Sequence, residues 1–188
     1  SDGAARLASL EKELRSHIET SERFNKTTDK RGLVLAGADR VMTVEIHNDA
    51  IAGMFNPSYT HLENVFLTRH FVSWLKDNSL IGDVVVSPDV GYLERARAYA
   101  EELSADLAAL SKERDYSKPN QVFRSTLIGD VSDKNILRVD DIIDTAGSVV
   151  ASIEELKERG GKNIIVACIH PVFSQRAWER LAAVKEKA

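Results

Sequence analysis

Apolar residues along this chain follow two rhythms. Continuous runs of strand length occupy 41–47, 84–87, 107–110, 136–140 and 163–170, and runs without alternation predict strands buried on both faces. Between them, apolar residues recur at three- and four-residue intervals over 61–76, 91–103, 148–159 and 174–187, which predicts helices; the glycines of "ERGGKN" stop the third. Regular strand–helix alternation predicts an α/β fold, a parallel sheet in a three-layer sandwich with helices on both faces. The first 35 residues differ. Leu7, Leu10, Leu14 and Ile18 keep helical spacing and are followed by the polar stretch "SERFNKTTDKRG". Residues 1–35 therefore read as a helix and linker without a core of their own, and 36–188 as the α/β domain.

Length and composition narrow this picture only modestly. A chain of 188 residues suffices for one well-cored domain. Its net charge of −4 gives no electrostatic reason to expect nucleic acid or an anionic membrane. No apolar run approaches a membrane span, and the first twenty residues lack the apolar core of a secretory signal, so the expected compartment is the cytoplasm. The single cysteine, Cys168, sits in the apolar run "NIIVACIH", which predicts a buried structural thiol and excludes an intrachain disulfide. Expected partners are small molecules or further copies of the chain.

The stretch "ILRVDDIIDTAGSVV", 136–150, carries the most chemistry. A buried strand runs into Asp140 and Asp141, then Asp144, then the small residues Thr145, Ala146, Gly147 and Ser148 at a helix start. In parallel α/β sheets, ligands collect beyond the carboxyl ends of strands. Small residues there let backbone amides converge on one point, and the helix start adds partial positive charge, so a phosphate can be held without a lysine. Carboxylates only accept hydrogen bonds, so the three aspartates suit sugar hydroxyls or a divalent metal. A phosphorylated sugar satisfies both halves. The bland alternative is a helix capped by Ser148 and solvated loop acids.

"VDDIIDTAGS" resembles the phosphoribosyl diphosphate signature of type I phosphoribosyltransferase folds, in the form used by ribose-phosphate diphosphokinases. "AGADRVMTVEIHNDAIAGMF", "VVVSPDVGYLERARAYA", "LSKERDYSKPNQV" and "ACIHPVFS" resemble, in order, that family's metal-binding histidine segment, diphosphate and metal loop, catalytic flexible loop and last core strand. The resemblance spans roughly 36–183. It implies transfer of the diphosphoryl group of MgATP to the anomeric hydroxyl of ribose 5-phosphate. Asp144, Thr145, Ala146, Gly147 and Ser148 would then hold the 5-phosphate, and Asp140 and Asp141 would face the ribose hydroxyls. His47 and Asp89 would bind Mg2+, although histidine is an unusual ligand for so hard a cation. Lys112 and Arg114 would be the catalytic cations, stabilising charge on the transferring group. A homo-oligomer with shared ATP sites is also implied.

Two departures stand out. Tyr92 occupies a place where the family usually has a second glycine, and a Cβ there restricts positive φ. The family's first, ATP-binding domain also has no counterpart beyond a faint likeness in "FNKTTDKR", with Lys26, Asp29 and Lys30 as candidate remnants. A naturally shortened homologue and a piece of a longer chain both fit; the abruptness favours the second. Two other functions compete: a phosphoribosyltransferase with another leaving group, and a catalytically silent homologue that regulates the synthetase.

Overall fold

The computed structural model describes residues 28–114 and 122–186. The predicted helix through Leu7 and Ile18, and Lys26 with it, lie outside the described residues. The chain divides into two compact units, Ser1–Phe66 and Leu67–Ala188.

In the first unit, helix α1 (Thr28–Leu35) occupies part of the stretch expected to be linker. Strands β1 (Arg40–Val44) and β2 (His61–Val65) form a two-stranded parallel sheet, Arg40 opposite His61 and Val44 opposite Val65. A short 3-10 helix, Asp49–Met54, lies between them, with the Asn48 side chain accepting from the amide of Ala50 at 3.0 Å. Two expectations fail here. Residues 61–65, expected to begin a helix, form a strand: Leu62, Val65 and Phe66 imitate helical spacing, but the segment pairs with β1. Strand β1 is also not buried on both faces, because its residues alternate between exposed and half-buried. It stops at Glu45, a buried residue with φ of +46°, a conformation that ends regular pairing.

The second unit contains helix α2 (Thr68–Asp77), strand β3 (Val84–Ser87), helix α3 (Leu93–Leu103), strands β4 (Asp106–Arg114), β5 (Val122–Ile128) and β6 (Ile136–Ile143), helix α4 (Gly147–Glu158), strand β7 (Ile164–Pro171) and helix α5 (Ala177–Glu186). The sheet order is β5-β4-β3-β6-β7. Strands β4, β3, β6 and β7 are mutually parallel, whereas β5 is antiparallel to β4. The α/β expectation is met with that one correction. Strand β5 escaped the sequence reading because the polar run 124–126 breaks "VFRSTLI" into two apolar pairs, and it lies on the sheet edge.

Burial explains why β3 reads as unbroken valine. Val85 packs with Leu137 and Val139 of β6 and with Val72, Leu75, Ala96 and Tyr99 from α2 and α3. Val84 and Val86 face the other way, with Ala108, Leu110, Ile136 and Leu156 of α4. Alternate residues thus serve two cores, one on each face of the sheet. A third cluster joins Ile143, Ala146, Val149, Ile153 and Ala177, seating α5 on α4. Among the described residues no helix is long and apolar enough to cross a membrane.

Arg138 interrupts the apolar β6. Its side chain is fully buried, opposite Val86 on one side and Val166 on the other. Nη2 donates to Asp140 Oδ2 at 2.9 Å, while Nε and Nη1 have no hydrogen-bond partner among the described residues. Burial pushes the Asp140 carboxyl above its ordinary value of 3.8, and the Arg138 guanidinium opposes that rise.

Breaking this pair from its two sides has unequal consequences. Asp140→Ala strands a buried guanidinium that cannot discharge, and urea unfolding at neutral pH should show a loss of about 3–5 kcal/mol. Arg138→Met leaves a carboxyl that takes up a proton instead. A carboxyl whose folded pKa is raised contributes stability that is present below its unfolded value and lost as pH rises through the folded one. The deficit of Arg138→Met should therefore grow as pH rises above 3.8. A deficit independent of pH, or equal losses from the two substitutions, would rule the pairing out.

Candidate functional site

Strand order places the candidate residues of the second unit. The chain builds outward from β3 to β4 and β5, then returns to the other side of β3 for β6 and β7. The turns leaving β3 and β6 thus open side by side, at the point where the order reverses. Asp89 is in the first of these turns and Asp144–Ser148 in the second. Strand β4, on β3's other edge, carries Lys112 and Arg114 past the end of β3, which pairs with β4 only as far as Ser87 opposite Ala109.

The turn after β6 is built around a left-handed residue. Ala146 has φ of +60° and is buried, and it stands at the N-cap of α4 without a side-chain capping bond. Ser148 therefore lies within the first turn of the helix and is not its cap. Gly147 and Ser148 are exposed and Thr145 is half-buried. The chain's last segment ties the turn down. Ser174 Oγ donates to Asp144 Oδ1, its amide donates to the Asp144 carbonyl at 3.1 Å, and Arg180 Nη1 donates to the Thr145 carbonyl at 2.7 Å.

The aspartates occupy three environments. Asp144 is exposed at the turn. Asp141 is buried within β6, not out on a loop. Asp140, half-buried, engages Arg138 through Oδ2 and accepts from the amide of Asp141 at 3.1 Å through Oδ1. Cys168 lies opposite Asp140 on β7 and is half-buried, less enclosed than expected; burial, then the Asp140 charge, pushes its thiol above the ordinary range.

At the β3 turn, Asp89 Oδ1 accepts from the amide of Tyr92 at 2.9 Å, and the Asp89 carbonyl accepts from Ser87 Oγ at 2.7 Å. Tyr92 has φ of −92°, so its Cβ meets no left-handed requirement, and its ring is buried with Tyr99 and Ala96. The Arg95 guanidinium lies 5.9 Å from the centre of that ring. The aromatic ring thus anchors the start of the helix.

Lys112 and Arg114, expected on a flexible loop, have their backbones in β4, opposite Ser125 and Val122, with an irregularity between Glu113 and Arg114. Their side chains, and residues 115–121, lie outside the described residues. His47 is exposed and belongs to the first unit, between β1 and the 3-10 helix. Among the described residues no group of three or more His, Cys, Asp or Glu is placed to hold a metal ion. Mg2+ ordinarily takes one or two carboxylates and fills its remaining positions with water and substrate phosphate. The exposed carboxylate of Asp89 fits that mode.

Sequence reading missed Arg138, Ser174 and Arg180. Arg138 was visible as a cation inside an aliphatic strand. Ser174 and Arg180 carried no local signal, because they meet the turn 30 and 35 residues further along the chain.

Comparison with known proteins agrees with this arrangement. The family model of the phosphoribosyl transferase domain matches residues 58–185. A ribose-phosphate pyrophosphokinase of Clostridium acetobutylicum is 44% identical over 148 residues, covering 78% of this chain and 45% of that protein. One from Campylobacter jejuni is 38% identical over 148 residues, covering 79% and 46%. The chain spans about half the length of the curated relatives it matches. The crystal structure of phosphoribosylpyrophosphate synthetase from Mycobacterium smegmatis superposes with a TM-score of 0.71 at 32% identity, covering 83% of this chain and 49% of that one. With the turn after β6, the reversal of strand order and the family model over residues 58–185 in agreement, the chain belongs to the phosphoribosyl transferase domain family.

Proposed function

We propose that this chain binds ribose 5-phosphate as part of a ribose-phosphate diphosphokinase, which makes phosphoribosyl diphosphate and AMP from MgATP. The observation that carries this reading is the Asp144–Ser148 turn. It stands at the carboxyl end of a parallel strand, with Gly147 and Ser148 exposed, Thr145 half-buried and Asp141 buried in the strand before it. The backbone amides of Thr145 to Ser148, with the hydroxyls of Thr145 and Ser148, bind the 5-phosphate. Asp141 and the remaining acceptor capacity of Asp140 orient the ribose hydroxyls. The C1 hydroxyl then points along the carboxyl edge of the sheet toward the Asp89 turn.

In the reaction, the C1 oxygen attacks the β-phosphorus of ATP, the bond to the bridging oxygen of the α-phosphate breaks, AMP departs, and the hydroxyl proton is lost. Lys112 and Arg114 supply positive charge where non-bridging oxygens gain electron density. Asp89 would be a ligand to Mg2+, which when bound would neutralise charge on the diphosphate. Placement of two cations on a ribbon that projects past β3 suits groups that act at the transition state and not in holding the sugar.

Lys112→Ala combined with Arg114→Ala should abolish AMP formation in the complete polypeptide while leaving ribose 5-phosphate affinity within about 3-fold. Equal losses in both would make the ribbon a binding element. Asp144→Asn weakens the charge-assisted bond from Ser174 that anchors the turn, a loss expected to outweigh the relief of repulsion, and should weaken ribose 5-phosphate about 10-fold by calorimetry. An unchanged dissociation constant would remove the sugar phosphate from this turn.

A further inference from the structure

The phosphate turn carries an electrostatic deficit. Asp140, Asp141 and Asp144 lie within five residues of one another, and the turn itself, Thr145 to Ser148, contains only neutral donors. A dianionic phosphate placed there meets carboxylates nearby, and dipoles alone must offset them. Arg138 is committed to Asp140 in the core. A cation does reach the turn, from the far end of the chain.

Ala177, in the first turn of α5, is fully buried and packs in one cluster with Ala146 and Val149. Arg180 follows three residues later, on the same side of the helix. Packing of Ala177 therefore fixes where the Arg180 side chain emerges. Its Nη1 donates to the Thr145 carbonyl at 2.7 Å. A Cβ built on Gly147 would lie 3.9 Å from Thr145 Oγ1 and 4.0 Å from Arg180 Nη1, with nothing nearer. The space above Gly147 is thus open and flanked by a hydroxyl and a guanidinium. A guanidinium carries five N–H donors, and one of them is used on Thr145.

We propose that Arg180 is a phosphate-recognition residue: it fixes the Thr145 carbonyl and presents its charge to an anionic ester seated over Gly147. This rests on the sugar-phosphate reading of the turn and deepens it, because it gives the site its preference for the phosphorylated sugar. Arg176 offers an internal control. It is exposed on the same segment and its Nε pairs with Glu179, so its substitution changes net charge equally without touching the turn.

The test is calorimetry of the protein with ribose 5-phosphate at low and high salt, with melting curves to verify folding. Arg180→Gln should weaken binding about 10-fold at low salt and make it less sensitive to salt. Arg180→Lys, which keeps the charge but not the fork, should recover most of that loss, to within about 3-fold of the parent. Arg176→Gln should stay within about 2-fold. If Arg180→Gln binds as the parent does while Asp144→Asn does not, or if affinity falls with an unchanged salt dependence, Arg180 is only a tether and the inference fails. If Arg176→Gln weakens binding as much, a general field and not this contact is responsible. A parent protein that does not bind ribose 5-phosphate at all overturns the sugar-phosphate reading itself, and this inference with it.

Discussion

Strand β3 is hydrogen-bonded on both edges to parallel neighbours, and each of its residues is buried. Much of the second unit follows from that constraint. With β4 and β6 held parallel to it, the carboxyl ends of all three face the same way. Because the chain turns back across β3 to reach β6, helices α3 and α4 leave the two turns toward opposite faces of the sheet. The Asp89 turn and the Asp144–Ser148 turn become neighbours by topology before any side chain is chosen. Helix α3 then starts at Tyr92, whose buried ring fixes its first turn. Helix α4 starts at Ala146, whose left-handed backbone makes the turn from β6 into the helix.

Acidic residues at such a junction are difficult to retain. Asp140 and Asp141 lie inside the pairing region of β6, where water is scarce and an ionised carboxylate is costly. Arg138, two residues earlier on the same face, gives Asp140 a partner within the strand. The arrangement fixes one oxygen of Asp140 and leaves two guanidinium nitrogens without partners among the described residues, so the pair is a constraint more than a source of stability. Held in this way, Asp140 cannot swing toward solvent. The position of the Asp140 carboxylate is thus set by a neighbour buried in the same strand.

How much of this was legible follows from how local each signal is. The four strands that form the parallel sheet, and the helices α3, α4 and α5, announce themselves by unbroken apolar runs and by spacing, and the structure keeps them within a few residues of the expected bounds. The turn after β6 was legible because three acids and four small residues stand together. Strand β2 was not, since Leu62 and Val65, three apart, imitate helical spacing, and only pairing with β1 reveals the strand. Strand β5 was hidden for a related reason: an antiparallel edge strand needs one covered face. For Tyr92, geometry removes the backbone half of the conflict the motif suggested, because φ is −92° and asks for no glycine.

The least legible part of the site is its tail. Ser174 and Arg180 reach the turn because β7 runs parallel to β6 and ends beside it, Ile143 opposite Pro171, so whatever follows β7 emerges next to Asp144. Segment 172–174 hydrogen-bonds back to Ile143 and Asp144 through its own amides, and Ala177 then locks α5 onto α4. Sheet register thus delivers a serine to the exposed aspartate and an arginine to the carbonyl of its neighbour. If the turn holds a phosphate as proposed, its amides must aim at the anion, and a carbonyl turned the same way would oppose it. An arginine that captures that carbonyl answers both demands with one side chain, since the contact that orients the peptide also brings the positive charge.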